Sequence, residues 1–330
     1  MVRLLKSFFY KISKDITFRI TLIIGAGIAV LMTLLYLGLQ LAMGDEAGGK
    51  LLTGQGMLIS SFSPAQNFGI SIPINVISFV VLEFTQGTIR NKIIAGHSKF
   101  KVYTSLYLSG LVFAFSLLFV YVGLCTALGS IFGGFDPNGT AMIGTSIGGK
   151  VSGEFIIKFV VLSLLAYTSI VSFTVFFATL FRTMGPSIPV IILAIMGCYL
   201  LSMIMNVVQL TLESETSISI MTDELAKLAA SLKEQGVSDD EIAKLSFKDV
   251  ATPTHAQLIE RNAMVGTFDN IMNVLKVVDP LYGISAVSTN DQGIATIDNY
   301  TFIAGICSNI AYAAIFFFSG AAIFKKRDIK

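Results

Sequence analysis

Tryptophan is absent from the 330 residues, histidine occurs twice and cysteine three times. Charge is also scarce: 13% of the residues are Asp, Glu, Lys or Arg, against about 25% in soluble domains. Each shortage excludes something. Without tryptophan, any aromatic belt at a membrane surface must use Tyr and Phe. Cys125, Cys198 and Cys307 all fall in apolar runs with no Cys-x-x-Cys spacing, so neither a disulfide framework nor a thiolate metal site is expected. His97 and His255 lack Cys or carboxylate neighbours at ligand spacing, which argues against a metal centre. No nucleophile is paired with a base in any recognisable pattern. What is abundant is apolar surface, 54% of residues with 26 phenylalanines, and that composition belongs to an integral membrane protein.

Six apolar runs are long enough, or nearly so, to cross about 30 Å of hydrocarbon as helices of about 20 residues. They lie at 18–43, 66–82, 103–132, 156–181, 187–210 and 301–324. The first exceeds a signal-peptide core and is read as a retained span. The second is the most polar and contains Pro73, and the third is long enough to project beyond the bilayer. Basic residues collect in alternate connections: Arg3 to Arg19, Glu83 to Lys101, Arg182, and Lys325 to Lys330. These segments hold fourteen cations and three acids, whereas the rest hold nine cations and eighteen acids. By the positive-inside rule both termini are cytoplasmic.

Leu4, Leu5, Phe8, Phe9 and Ile12 recur at helical spacing beside Lys6, Lys11 and Lys14. Residues 1–17 therefore read as an amphipathic helix in the cytoplasmic interface, or as a plain extension of the first span. The segment 211–300 carries fourteen acids and six cations and reads as exterior and mostly helical. Its helical patterns lie at 222–235, after the capping box Ser238 to Glu241, and at 256–277. Residues 280–297 read either as a re-entrant segment or as a loop.

The expected fold is thus an all-α integral membrane protein. It has six transmembrane helices (spans one to five within 18–210, the sixth within 301–330), an N-terminal interfacial helix and a helical extracellular insertion. Gly144, Gly149 and Lys150 approximate a phosphate-binding loop, but Val151 stands where a hydroxyl must meet magnesium. A flexible exterior loop is the reading kept for 144–151. The sequons at Asn138 and Asn299 are of a kind that arises readily by chance. No Asp, Glu, Lys or Arg lies within 20–43, 103–132, 159–181, 187–210 or 301–324, and only Glu83, at the cytoplasmic end of the second span, offers a carboxylate for ion coupling; a charge at a helix centre costs about 2.5–3.5 kcal/mol on insertion scales. Energy for uphill transport would have to come from another subunit. Asn67, Ser71, Asn75 and Ser78 share one helical face of the second span, either as helix-packing groups or as a lining for substrate.

The segment 83–101, EFTQGTIRNKIIAGHSKFK, is a polar, basic interruption between two apolar runs. Glu83, then Gly87-Thr88-Ile89-Arg90-Asn91, then Gly96-His97-Ser98-Lys99 resembles the cytoplasmic loop of ABC type-2 transporter permeases. Phe181-Arg182, the ending Ala322 to Asp328 and the opening Lys6 to Lys11 are similar to that family as well; the segment 211–275 is not covered. The resemblance implies the permease subunit of a bacterial ABC exporter in the cytoplasmic membrane, with no enzymatic site of its own. It implies pairing with a second permease copy, as a homodimer or with a related chain, and with two copies of a separate ATPase subunit that binds ATP and Mg. It assigns ATPase coupling to Glu83, Gly87, Thr88, Arg90, Asn91, Lys92, Gly96 and Lys99, and these cations are expected to meet acidic ATPase surface or membrane lipid. No cofactor or metal is expected in this chain, and no nucleic-acid partner. The expected cargo is amphipathic or hydrophobic: a peptide, toxin, drug or lipid-like molecule. A secondary carrier, or a sensor whose exterior segment binds a ligand, are the rival readings.

Overall fold

The computed structural model describes residues 16–43, 52–63, 69–135, 140–143, 146–234, 253–278, 288–289, 294–297 and 299–326, with a few isolated positions besides. The chain divides into two compact units, one of residues 1–198 and 276–330, the other Tyr199–Leu275.

The larger unit is a bundle of long helices. In chain order they are α1 (Ile16–Met43), α2 (Gly54–Phe62), α3 (Gly69–Thr85), α4 (Thr88–Ile94), α5 (Lys99–Gly133) and α6 (Gly153–Phe181). The helix α7 (Met184–Glu234) follows, and α10 (Asn299–Lys326) closes the chain after α8 (His255–Arg261) and α9 (Ala263–Val278). Four of these, α1, α5, α6 and α10, are long and apolar enough to cross a membrane. A fifth candidate is the pair α3 and α4, bent by 55° at the break between them. This is a multi-pass, helical membrane protein. The run expected at 187–210 lies inside α7, whose stretch Met184–Gly197 is a shorter apolar helix.

Small residues and buried hydroxyls bring the helices together, as expected where lipid leaves no hydrophobic drive between them. Gly110 of α5 faces Val76 of α3 and Val175 of α6. Gly305 of α10 packs on Leu162 of α6. Deeper along the same contact, the Ser169 hydroxyl donates to the Asn309 side-chain oxygen at 3.1 Å and lies 2.8 Å from its carbonyl. Tyr107 and Ser172 join α5 to α6 at 2.8 Å. Phenylalanines fill the remainder, with Phe173 edge-on to Phe316 and Phe79 stacked on Phe113.

Two features depart from the sequence reading. The first is α2, nine residues that periodicity did not single out. It is buried on nearly every side, Gln55 and Ser61 included. Thr53 caps it by accepting from the Gly56 amide, and the Gly54 amide donates to the Gly134 carbonyl. The second is a small sheet in an otherwise helical chain, with strand order β1-β2-β4-β3. β1 (Thr140–Ile143) and β2 (Ser146–Val151) form a hairpin, where a flexible loop was expected. β4 (Ile294–Thr296) adds parallel to β2, and β3 (Ser288–Thr289) pairs antiparallel with β4. Within 280–297, read as a re-entrant segment or a loop, the described residues 288–289 and 294–296 are these two short strands. Gly-rich chain and short β-branched runs can satisfy their backbone groups only by pairing with another segment, here one far away in sequence.

The smaller unit is a helical hairpin. The part of α7 from Gln209 to Asp223 runs antiparallel to α8 and α9: Gln209 donates to Asp269, Asn262 to Thr216, and Arg261 to Asp223. The helix expected across 256–277 is broken at Asn262, whose backbone is extended. The predicted capping box at Ser238 lies outside the described residues, as do ten of the residues 1–17; of the interfacial helix expected there, Lys6, Ser7, Phe9, Tyr10 and Lys14 are described, and they are helical and exposed.

Candidate functional site

The site is built on the break between α3 and α4. α3 runs to Thr85, and Gly87 then adopts φ +66°, a left-handed conformation that costs other L-residues roughly 1–2 kcal/mol. The chain turns there, and Thr88 starts a seven-residue helix. At its other end, Gly96 has φ +88°. The Gly96 amide donates to the Ile93 carbonyl and the His97 amide to the Lys92 carbonyl, the paired bonds of a Schellman ending with glycine at C′. Ser98 then caps α5. Both glycines of the loop therefore set helix ends. Gly87→Ala is expected to lower stability by roughly 1 kcal/mol, while Gly87→Asn, which tolerates the left-handed region, loses less; thermal unfolding of the purified variants checks the order.

Glu83 anchors the turn. Its carboxylate is 1% exposed. It accepts from the Thr88 hydroxyl at 2.5 Å and from the Lys92 ammonium at 3.1 Å. A buried carboxylate held this way is a costly group made tolerable by its partners, and it fixes the first turn of α4 to the last turn of α3. Ile89 is buried beneath the same helix. Arg90, Asn91, Ile94 and Ala95 form the opposite face and are exposed, Ile94 by 72%.

The segment is tied to two other parts of the bundle. The Arg182 guanidinium lies 5.7 Å from the Phe84 ring centre, and Arg182 itself has φ +60° where α6 ends. Phe84 meets Phe324 near the end of α10. The Lys99 ammonium donates to the Lys325 carbonyl at 3.2 Å, a cation on the negative end of α10's dipole. Tyr103 packs between Phe317 and Phe324. Basic segments distant in the chain thus meet at one end of the bundle.

The expected coupling residues are therefore adjacent but differ in what they do. Lys92 and Lys99 are turned to internal partners, whereas Arg90 and Asn91 remain on the surface. The polar face of α3 resolves similarly. Thr21 of α1 donates to the Asn75 side-chain oxygen at 3.1 Å, and the Asn75 amide donates to the Ser71 carbonyl. Ser78 donates to Ile74 of its own helix. Asn75 serves helix packing in this arrangement, and Asn67 lies outside the described residues.

The remaining chemical candidates stay apart. Residues 146–151, which mimic a phosphate loop, are an extended strand with Lys150 paired opposite Thr140. Such a strand cannot curl its amides around a phosphate. Asn299 of the second sequon accepts from Lys158 at 2.8 Å. Among the described residues no group of three His, Cys, Asp or Glu is placed to hold a metal. What the sequence reading missed is Lys158, which also bonds the Ile297 carbonyl and pairs with Glu154. Its position as the one charge in the fourth run, just ahead of the charge-free stretch 159–181, was the available signal. In comparisons with protein-family models, with curated proteins and with solved structures, nothing matches this chain.

Proposed function

We propose that this chain is the permease subunit of an ATP-driven exporter of the ABC type-2 kind, working with two copies of a separate ATPase subunit. The observation that carries the reading is the α3–α4 corner. A short helix is set off from α3 by a left-handed glycine, braced from within by a buried ion pair, and left with an exposed face of Arg90, Asn91, Ile94 and Ala95. Exposed isoleucine on a rigid basic helix is surface built for a protein groove. When the ATPases close on ATP and Mg, that helix is pushed, and the bonds to α10 and to the α6–α7 turn carry the displacement into the bundle as rigid-body shifts.

In this reading the six spans are α1, α3, α5, α6, the first part of α7, and α10. Both termini face the cytoplasm of a bacterial cell, residues 1–17 lie in the interface, and 211–300 is exterior. Two permeases pair, as a homodimer or with a related chain, around a path for an amphipathic or hydrophobic cargo.

The test is charge and polarity reversal on the outer face. Arg90→Glu with Ile94→Glu is expected to lower ATP hydrolysis by the assembled complex at least tenfold, with unchanged insertion and unfolding temperature of the permease. Unaltered hydrolysis would remove α4 as the coupling element. Substrate movement by the purified chain alone would indicate a carrier instead. Ligand binding to 211–300 without net movement would indicate a sensor.

A further inference from the structure

The fold sorts the cations at this end of the bundle into groups. Lys92 is committed to Glu83 and Arg182 to the ring of Phe84. Arg90 shares the outer face of α4 with Ile94. A third group forms where α5 begins and α10 ends. The bond from Lys99 to the Lys325 carbonyl joins segments 226 residues apart. It brings Lys99 beside Lys325 and Lys326, and Lys101 follows in the same first turn of α5; Lys101, Lys325 and Lys326 are exposed. Among the described residues, no carboxylate lies within ion-pair distance of Lys101, Lys325 or Lys326.

The surface beside this cluster is apolar and has a bilayer's dimension. α10 exposes Ile303, Ile310, Ile315 and Phe318 by 54 to 63%. From Ile303 to Ala322 the helix rises about 28 Å, close to the hydrocarbon thickness of about 30 Å. That stretch ends three residues before Lys325. Phe100, 50% exposed, stands between Lys99 and Lys101 with its ring edge-on to Phe317. An apolar stripe of membrane length thus runs directly into a concentrated positive charge with an exposed aromatic at the boundary. Long basic side chains and aromatics in that position bind the headgroup layer, and anionic lipid supplies the missing negative charge.

We propose that Lys99, Lys101, Lys325 and Lys326 form a binding surface for the headgroup of an anionic phospholipid, whose acyl chains lie along Ile315 and Phe318 of α10. A zwitterionic lipid offers the same chains but no net charge, so selectivity resides in the ammonium cluster. The proposal rests on the membrane placement of α10 and is independent of the transport reading.

The full chain is purified in neutral detergent and exposed to micelles containing phosphatidylglycerol or phosphatidylcholine, with bound lipid counted by native mass spectrometry. Phosphatidylglycerol is expected to be retained at least tenfold over phosphatidylcholine at low salt. K101Q/K325Q/K326Q should erase that preference, the corresponding triple arginine variant should keep it, and K227Q/K233Q in the other unit should leave it unchanged. Equal retention of the two lipids would overturn the proposal, as would an unchanged preference in the glutamine variant. Displacement of the lipid by millimolar inorganic phosphate would reassign the cluster as a free-phosphate site. Loss of an ATP-hydrolysing partner by the glutamine variant, with lipid preference intact, would reassign it as a protein interface.

Discussion

Glu83→Ala is expected to be the most damaging single change at the α3–α4 corner, costing about 3–5 kcal/mol, the range for breaking a buried ion pair by removing one partner. The loss comes from two groups left behind. Lys92 has a side chain only 16% exposed and loses its counter-charge. The Thr88 hydroxyl loses its 2.5 Å acceptor. Glu83→Gln retains volume and an acceptor for Thr88, so it should fall between the wild type and alanine. The sharper comparison is Glu83→Leu combined with Lys92→Met. Replacing both members of a buried pair by apolar groups is often neutral, so the double variant should regain most of the stability lost by Glu83→Ala. Thermal unfolding in detergent measures all four. If Glu83→Ala unfolds at the wild-type temperature, the pair is not what holds α4 in place. If the double variant is stable yet ATP hydrolysis is not restored, stiffness and coupling are separable functions of the pair.

Gly133→Ala should be comparably severe for a different reason. A Cβ there would collide with the Leu52 carbonyl oxygen, and the obstruction is backbone. Gly129, one turn earlier, also faces α2, less tightly, with 2.6 Å from an added Cβ to the Met57 side chain and 3.1 Å to the Thr53 carbonyl. α2 therefore lies on a small-residue seat of α5, and overpacking typically costs about 1–3 kcal/mol even where side chains can move aside. Here the cost should exceed that range, and α2 should detach from α5. Gly27→Ala and Gly123→Ala, each with open space around the added carbon, are expected to be neutral or slightly stabilising in helices. Limited proteolysis between residues 44 and 68, alongside unfolding temperature, distinguishes a detached α2 from a uniformly weakened bundle. Equal behaviour of all three alanine variants would show that the α2–α5 contact contributes nothing.

The elements that were legible in sequence are those whose signal is local. Runs of apolar residues without charge gave α1, α5, α6 and α10 to within a few residues, because length and hydropathy alone decide that a helix can cross lipid. Gly87 and Gly96 entered only through the family pattern, and both are helix ends with positive φ. Glu83 is plain in the sequence as an isolated carboxylate, but only folding selects Lys92 rather than Arg90 as its partner, since the bend at Gly87 decides which side of α4 faces back. α2 was illegible because its nine residues are short and weakly patterned; its helix is held by contacts with α5 that no local window contains. The β2–β4 pairing joins segments more than a hundred residues apart, and neither partner is strongly strand-like alone. The sorting of the basic residues was equally hidden. Counting charges finds the basic loops, whereas the roles of Lys92, Lys99 and Arg182 depend on neighbours brought from α3, α10 and the α6–α7 turn.

The most direct test of the central claim is a photo-activated cross-linker placed at position 94 in the full chain, in native membranes, with nucleotide-binding proteins labelled by an azido-ATP. The account predicts a cross-linked product that carries the ATP label from position 94 and none from position 264, where Met264 is likewise well exposed in the other unit. Labelled product from neither position, together with substrate movement in vesicles holding this chain alone, would contradict it.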